Sequence, residues 1–126
     1  MTFEDLEAWK EARTLVRDIY ALARDEKLVR DFGLRDQIQR AAVSVMTNIA
    51  EGFERTGAAE KLHFYNIARA SAGEARSLLY VVEDNFPHLV PPVIQLRSST
   101  IATGKLISGL IASTHRRTAA GKIEVW

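Results

Sequence analysis

The sequence predicts an all-α fold, an antiparallel up-down-up-down four-helix bundle. Apolar residues recur at the three- and four-residue spacing of a buried helical face in four separate stretches. Proline and glycine divide these stretches and leave short connections, so neighbouring helices should fold back on one another. Strand-type alternation is absent, except for a short candidate at residues 123–126.

Capping and turn residues bound the first two helices. Helix one should start at Thr2, with Asp5 as its capping-box partner, and fade near Asp25. Helix two should run from Leu34 to about Arg55, after a turn at residues 32–33. Its apolar positions are Leu34, Ile38, Ala41, Ala42, Val45, Ile49 and Phe53.

Prolines set the bounds of the last two helices. Helix three should begin at Ala58 and end near Asn85, because Pro87 cannot continue it. Helix four should begin at Pro91 or Pro92, where proline suits the first turn. The seam of helix four is Val93, Leu96, Thr100, Thr103, Ile107 and Leu110, and a second buried side is predicted from Ile94, Ile101 and Ile111.

The length and composition predict one domain. The 126 residues are enough to bury a core, and we expect the bundle to span residues 1–117 and a tail to span residues 118–126. Trp126 could dock this tail on a neighbouring molecule, and a frayed end is the alternative. The chain has no cysteine, no run of 18 apolar residues and an acidic start. These features exclude disulfides and thiolate sites and predict a cytoplasmic protein that does not span a membrane.

No constellation of residues supports catalysis, so we expect no enzyme, no metal and no cofactor. A di-metal site in a bundle needs two Glu-x-x-His pairs, and only Glu60-x-x-His63 is present. Residues 31–33 spell the Asp-Phe-Gly triplet of kinases without its companion motifs. There is also no glycine-rich phosphate loop and no glycine-flanked serine.

A polar column accompanies the buried stripe of helix two. Because its members recur at helical spacing, they should project from one side of the helix. Helix three carries two polar residues close to its own seam, and we expect them to meet this column and fix the helix register. The predicted cluster is Arg40, Ser44, Asn48 and Glu51 with Ser71 and Glu74. A ligand site is the alternative for these residues.

The charges are unevenly distributed along the chain. Residues 1–84 carry 12 basic and 15 acidic residues, whereas residues 85–126 carry 5 basic and 1 acidic residue. Helix dipoles would explain this asymmetry, and so would polar assembly contacts or an anionic ligand. The candidate nucleic-acid-binding residues are Arg97, Lys105, Arg116, Arg117 and Lys122. In a monomer they would be a solvated face, but an oligomer would gather them into a ring.

Helix four is rich in small residues, which favours close packing against another chain. Serine, threonine and glycine are poor helix formers, so packing must compensate for them. An oligomer interface would provide that packing, and a face exposed to water is the alternative. The small residues are Ser98, Ser99, Ala102, Gly104, Ser108, Gly109 and Ala112.

Several motifs resemble a known family over roughly residues 3 to 112. They are Phe3-x-x-Leu6-x-x-Trp9, the run from Arg35 to Ser44, Asn48-Ile49-Ala50-Glu51-Gly52, and Ile67-Ala68-Arg69-x-Ser71-x-x-Glu74. The chain resembles the four-helix-bundle proteins encoded in intervening sequences of bacterial 23S ribosomal RNA genes, sometimes labelled S23 ribosomal proteins. One departure is Met46, where the family commonly has a proline that would kink helix two.

The resemblance implies a ring-shaped homopentamer with no known enzymatic activity. The chain is also similar to the accessory proteins of diversity-generating retroelements, which bind nucleic acid and a reverse transcriptase. We therefore expect a non-catalytic oligomeric bundle that binds RNA or DNA, alone or with protein. The alternative is a structural or protein–protein interaction module, and a small-molecule enzyme comes third.

Overall fold

Four α-helices form the fold, in a computed structural model that describes residues 1–126. They are α1 at Glu7–Leu22, α2 at Phe32–Glu54, α3 at Ala58–Asn85 and α4 at Val90–Ala119. Short 3-10 turns precede α1, α2 and α4, at Phe3–Asp5, Leu28–Arg30 and Pro87–Leu89, and no strand is present. The all-α prediction is confirmed. None of the four helices combines the length and the apolar composition that a membrane-spanning segment needs.

The first two helices start at residues other than those predicted. The Thr2 amide donates a hydrogen bond to Asp5 at 2.9 Å, but this cap begins the 3-10 turn, and extended Leu6 separates it from α1. Helix α2 begins at Phe32, since Asp31 accepts a hydrogen bond from the Leu34 amide at 3.2 Å and acts as the N-cap. Through Met46, α2 is continuous.

Each helix contributes one apolar face to the core. Helix α2 packs against α1 and α3, and α4 packs against the same two helices. The predicted seam of α4 is buried from Val93 to Ile107, and its two buried threonines donate hydrogen bonds to backbone carbonyls one turn earlier. The predicted second buried side forms only in part, because Ile111 is half-buried and packs against the core. Ile94 is 49% exposed and Ile101 is 43% exposed.

The tail returns to the start of α3 in the same chain. Helix α4 extends to Ala119, and Gly121 ends it with a φ of 71°, a conformation that favours glycine. The amides of Ala58 and Ala59 then donate to carbonyl oxygens of residues 124 and 125, at 2.7 and 2.8 Å. These contacts satisfy two amides at the start of α3 that the helix itself cannot pair. Because Trp126 is 82% exposed, backbone contacts rather than its ring hold the tail.

Candidate nucleic-acid interface

Helix α4 carries positive charge without any negative charge. None of the 30 residues from Val90 to Ala119 is Asp or Glu. Its cations are Arg97, Lys105, Arg116 and Arg117. Any anion that approaches this helix therefore meets no carboxylate of α4 that would repel it.

A basic groove lies between α3 and α4. It has a volume of about 370 Å³, and its charged lining residues are Arg69, Arg76 and Lys105. All three side chains are exposed, and no carboxylate lines the groove. Two glycines, Gly73 and Gly104, also line the groove, and a Cβ at either position would meet no atom within 4 Å. We refer to Arg69, Arg76 and Lys105 with this surface as the basic groove.

Hydrogen bonds orient one of the three cations. The Arg69 guanidinium donates to Asn66 Oδ1 at 3.0 Å and to Ser108 Oγ at 3.4 Å. Both partners are neutral, so they position the guanidinium without compensating its charge. Arg69 therefore remains available to pair with a phosphate.

Arg97, a predicted binding residue, is neutralised within the chain. Its Nη1 donates to Glu83 Oε1 at 2.7 Å, and its guanidinium lies 4.3 Å from the centre of the Tyr80 ring. The hydrogen bond to Glu83 raises the pKa of Arg97 further. A guanidinium already paired with a carboxylate adds little to phosphate attraction. The predicted role of Arg97 in binding therefore stays a prediction, and we do not include Arg97 in the basic groove.

The other predicted cations divide between the groove and the end of α4. Lys105 lines the groove, whereas Arg116, Arg117 and Lys122 do not. Arg116 and Arg117 lie in the last turn of α4, and Lys122 follows the helix in the tail. All three are exposed.

Arg69 and Arg76 are not among the binding residues predicted from the sequence. Seven residues separate them, which is about two helical turns, so they share one face of α3. That spacing was visible in the sequence. What it did not show was that this face borders α4 next to Lys105. A sequence prediction that placed the basic face of α3 next to α4, which has no acidic residue, would have located the groove.

Three of the six predicted polar-cluster residues come together. The hydroxyl oxygens of Ser44 and Ser71 are 2.8 Å apart. Asn48 donates to the Ser44 carbonyl at 2.8 Å and to the Ser44 hydroxyl at 3.0 Å. Ser71 is buried, and Ser44 and Asn48 are half-buried. The three side chains form a hydrogen-bonded link between α2 and α3.

The other three predicted cluster residues lie outside this link. Glu74 is exposed and forms no side-chain hydrogen bond, so its predicted contact with the column is wrong. Three residues advance the helix by about 300°, which turns position 74 about 60° further from the core than Ser71. Exposure also spares the carboxylate the cost of burial. Arg40 is exposed and lines a surface pocket with Ser44 and Tyr20, and Glu51 pairs with Arg55 at 3.1 Å.

Replacing Ser71 with alanine should destabilise the bundle by about 1 kcal/mol, because one interhelical hydrogen bond is lost. Urea unfolding followed by circular dichroism would measure the change. Ser77→Ala on the same helix is the matched control, since that side chain is exposed. Equal free energies of unfolding for the two variants would show that the Ser44–Ser71 contact contributes nothing.

Lys61 caps the end of α2. Its side chain is only 8% exposed, and its Nζ donates to the carbonyls of Gly52 at 3.3 Å and Phe53 at 2.9 Å. Burial lowers the pKa of Lys61, and the nearby charge of Arg117 lowers it further, while Glu54 opposes both. Lys61 therefore donates hydrogen bonds to two carbonyls at the end of α2 that the helix itself cannot pair. Partial removal of its ammonium group from water opposes this gain in free energy.

Lys61→Met should lower the free energy of unfolding at neutral pH by about 1–3 kcal/mol, because two carbonyls lose their donor. Since the folded pKa is lowered, the unfolded state binds the proton more tightly. Wild-type stability should then rise, relative to Lys61→Met, as the pH increases from the folded pKa towards about 10.4. Urea unfolding at several alkaline pH values measures this difference, with exposed Lys10→Met as control. A constant difference across the window would contradict the assignment.

Gly52 brings α2 and α3 into close approach. A Cβ at this position would lie 2.6 Å from Tyr65 Cε1 and 3.2 Å from the Lys61 carbonyl oxygen. Tyr65 is only 3% exposed, and its burial raises its pKa to about 12. The glycine that ends the Asn-Ile-Ala-Glu-Gly string thus serves helix packing.

The predicted Glu-x-x-His pair is not part of a metal-ligand cluster. Glu60 and His63 are exposed, and no group of three or more potential ligands could hold a metal ion.

Comparison with known families decides the classification. The family model described as "23S rRNA-intervening sequence protein" matches residues 4–108. This chain belongs to that family. A search of curated proteins found no match. The matched range includes the Ser44–Ser71 link, Gly52 and all three cations of the basic groove in this family member.

Proposed function

We propose that this family member is a non-catalytic, homo-oligomeric four-helix bundle that binds nucleic acid through the basic groove. One observation carries the proposal: Arg69, Arg76 and Lys105 lie together, exposed, in a groove without a carboxylate, against a helix without an acidic residue. Phosphate groups bind such clusters and release their counterions. The overall charge is only +1, so the attraction must be local.

The proposed arrangement of the helices is antiparallel, up-down-up-down. Short connections support it, because only residues 55–57 separate α2 from α3. The ion pair between Glu83 and Arg97 supports it as well, since it joins the last turns of α3 to the first turns of α4. Arg69 and Ser108 join earlier α3 to later α4 in the same sense.

Self-association is part of the proposal, and the family resemblance favours a pentamer. Ile94, which is 49% exposed on α4 and does not line the basic groove, offers apolar surface that a second copy could cover. Each added copy would also add a basic groove. Light scattering coupled to size-exclusion chromatography should give a multiple of the 14.1 kDa chain mass. A monomer at micromolar concentration would remove this part of the proposal.

An electrophoretic mobility shift assay at two salt concentrations tests nucleic-acid binding directly. We expect binding to RNA or DNA at about 50 mM salt and at least a roughly tenfold loss of affinity at about 200 mM, since three phosphate contacts give a salt exponent of about 2. If no shift is seen at the lower salt concentration, the proposal that this protein binds nucleic acid is wrong.

A protein–protein interaction module is the second candidate. The exposed apolar side chains Tyr80, Ile94 and Ile101 favour it.

A reverse transcriptase is a predicted partner if the gene lies in a retroelement. A cytoplasmic location stays a prediction from the sequence.

A further inference from the structure

An exposed aromatic ring, that of Tyr80, follows the groove residue Arg76 along α3. Tyr80 follows Arg76 by four residues, so the two share one side of α3. The Tyr80 side chain is 50% exposed, and Ile101 in the groove wall is 43% exposed. Apolar surface therefore adjoins the cations, which a site for phosphate alone would not need.

The Tyr80 ring is held in place by an ion pair. The Arg97 guanidinium lies 4.3 Å from the ring centre, and Glu83 fixes that guanidinium through a hydrogen bond of 2.7 Å. Beside this contact, Tyr80 remains 50% exposed. A ring with restricted motion loses less conformational entropy when a ligand stacks on it.

Cations next to exposed apolar side chains should favour binding of single-stranded over double-stranded nucleic acid. In a duplex the faces of the bases are stacked on one another, so a protein surface of this kind meets only phosphates and sugars. A single strand exposes bases that can stack on an aromatic ring while cations track its backbone. Only the single strand would use both the cations and the apolar surface.

We infer that the basic groove takes single-stranded nucleic acid, with Tyr80 as the stacking platform for one base. This inference rests on the proposed function. Arg69, Arg76 and Lys105 hold the phosphates, and Ile101 contacts the sugar or base beside the platform.

Fluorescence anisotropy with a labelled, unstructured oligonucleotide and with the duplex of the same sequence tests the inference. At equal salt, the single strand should bind roughly tenfold more tightly than the duplex. Tyr80→Ala should weaken single-strand binding by about 5- to 150-fold, the range for loss of one base–aromatic stack. It should leave duplex binding within about twofold, because phosphate contacts are unchanged.

Two further variants separate stacking from a general disturbance. Tyr80→Phe keeps the ring and should retain single-strand affinity, whereas Tyr20→Ala removes a ring of similar exposure on α1 and should change nothing. Equal affinities for single strand and duplex, or full single-strand affinity in Tyr80→Ala, would overturn the inference and leave nucleic-acid binding standing. If neither oligonucleotide binds wild type, the proposed function itself fails.

Discussion

Gly52→Ala should destabilise the bundle by about 1–3 kcal/mol, although alanine is normally the better helix former. In an open helical position the same change would stabilise by up to about 1 kcal/mol. At Gly52 the new Cβ would approach Tyr65 Cε1 to 2.6 Å and Cδ1 to 2.7 Å. Because the ring is buried, it cannot move aside without shifting its neighbours, and overpacking carries this cost. Urea unfolding followed by circular dichroism gives the free energy of unfolding.

A matched control and a second-site variant sharpen this test. Gly109 lies within α4, and a Cβ there would meet no atom within 4 Å, so Gly109→Ala should be neutral or stabilising. In a Tyr65→Leu background, Gly52→Ala should lose most of its cost, because the clashing ring atoms are gone. A penalty that persists unchanged in that background would show that Tyr65 is not the cause.

Local sequence signals located the helices well where they were unambiguous. Both bounds of α3 are as predicted, since Pro87 ends the helix from outside. The start of α1 was wrong because the capping box between Thr2 and Asp5 supports a 3-10 turn as readily as an α-helix, and local spacing does not separate the two.

The candidate site depended on tertiary contacts that spacing does not encode. Ser44 and Ser71 were predicted to meet, and they do, because both lie at the edges of buried stripes. Arg97 is a predicted binding residue, and only the folded chain brings Glu83 beside it. Arg69 and Arg76 became site residues only through their position against Lys105. The tail contact is also non-local, because it joins residues 58 and 59 to residues 124 and 125. It consists of backbone hydrogen bonds rather than packing of the Trp126 ring, so the side chains gave no signal for it.

Replacing the three groove cations together, as Arg69→Ala, Arg76→Ala and Lys105→Ala, should remove most nucleic-acid affinity at about 50 mM salt. Each charge lost removes one released counterion, so the effect should multiply across the three positions. All three side chains are exposed and pair with no carboxylate. The variant should therefore fold and keep the oligomer mass of the wild type.

Two controls accompany the triple variant. Alanine at Lys10, Arg13 and Arg17 removes three exposed cations from α1 instead, and nucleic-acid binding should survive. Light scattering on the groove variant tests whether the groove is a subunit interface. A fall in mass would assign these cations to assembly and contradict their role in binding.

The salt dependence of binding tests the central claim most directly. Affinity for a single-stranded oligonucleotide would be measured by anisotropy at several salt concentrations, for wild type and for the groove variant. If the three cations contact phosphates, the slope of log affinity against log salt should become shallower by about 2, near 0.7 per contact. Identical slopes for the two proteins would mean that the basic groove does not bind the nucleic-acid backbone.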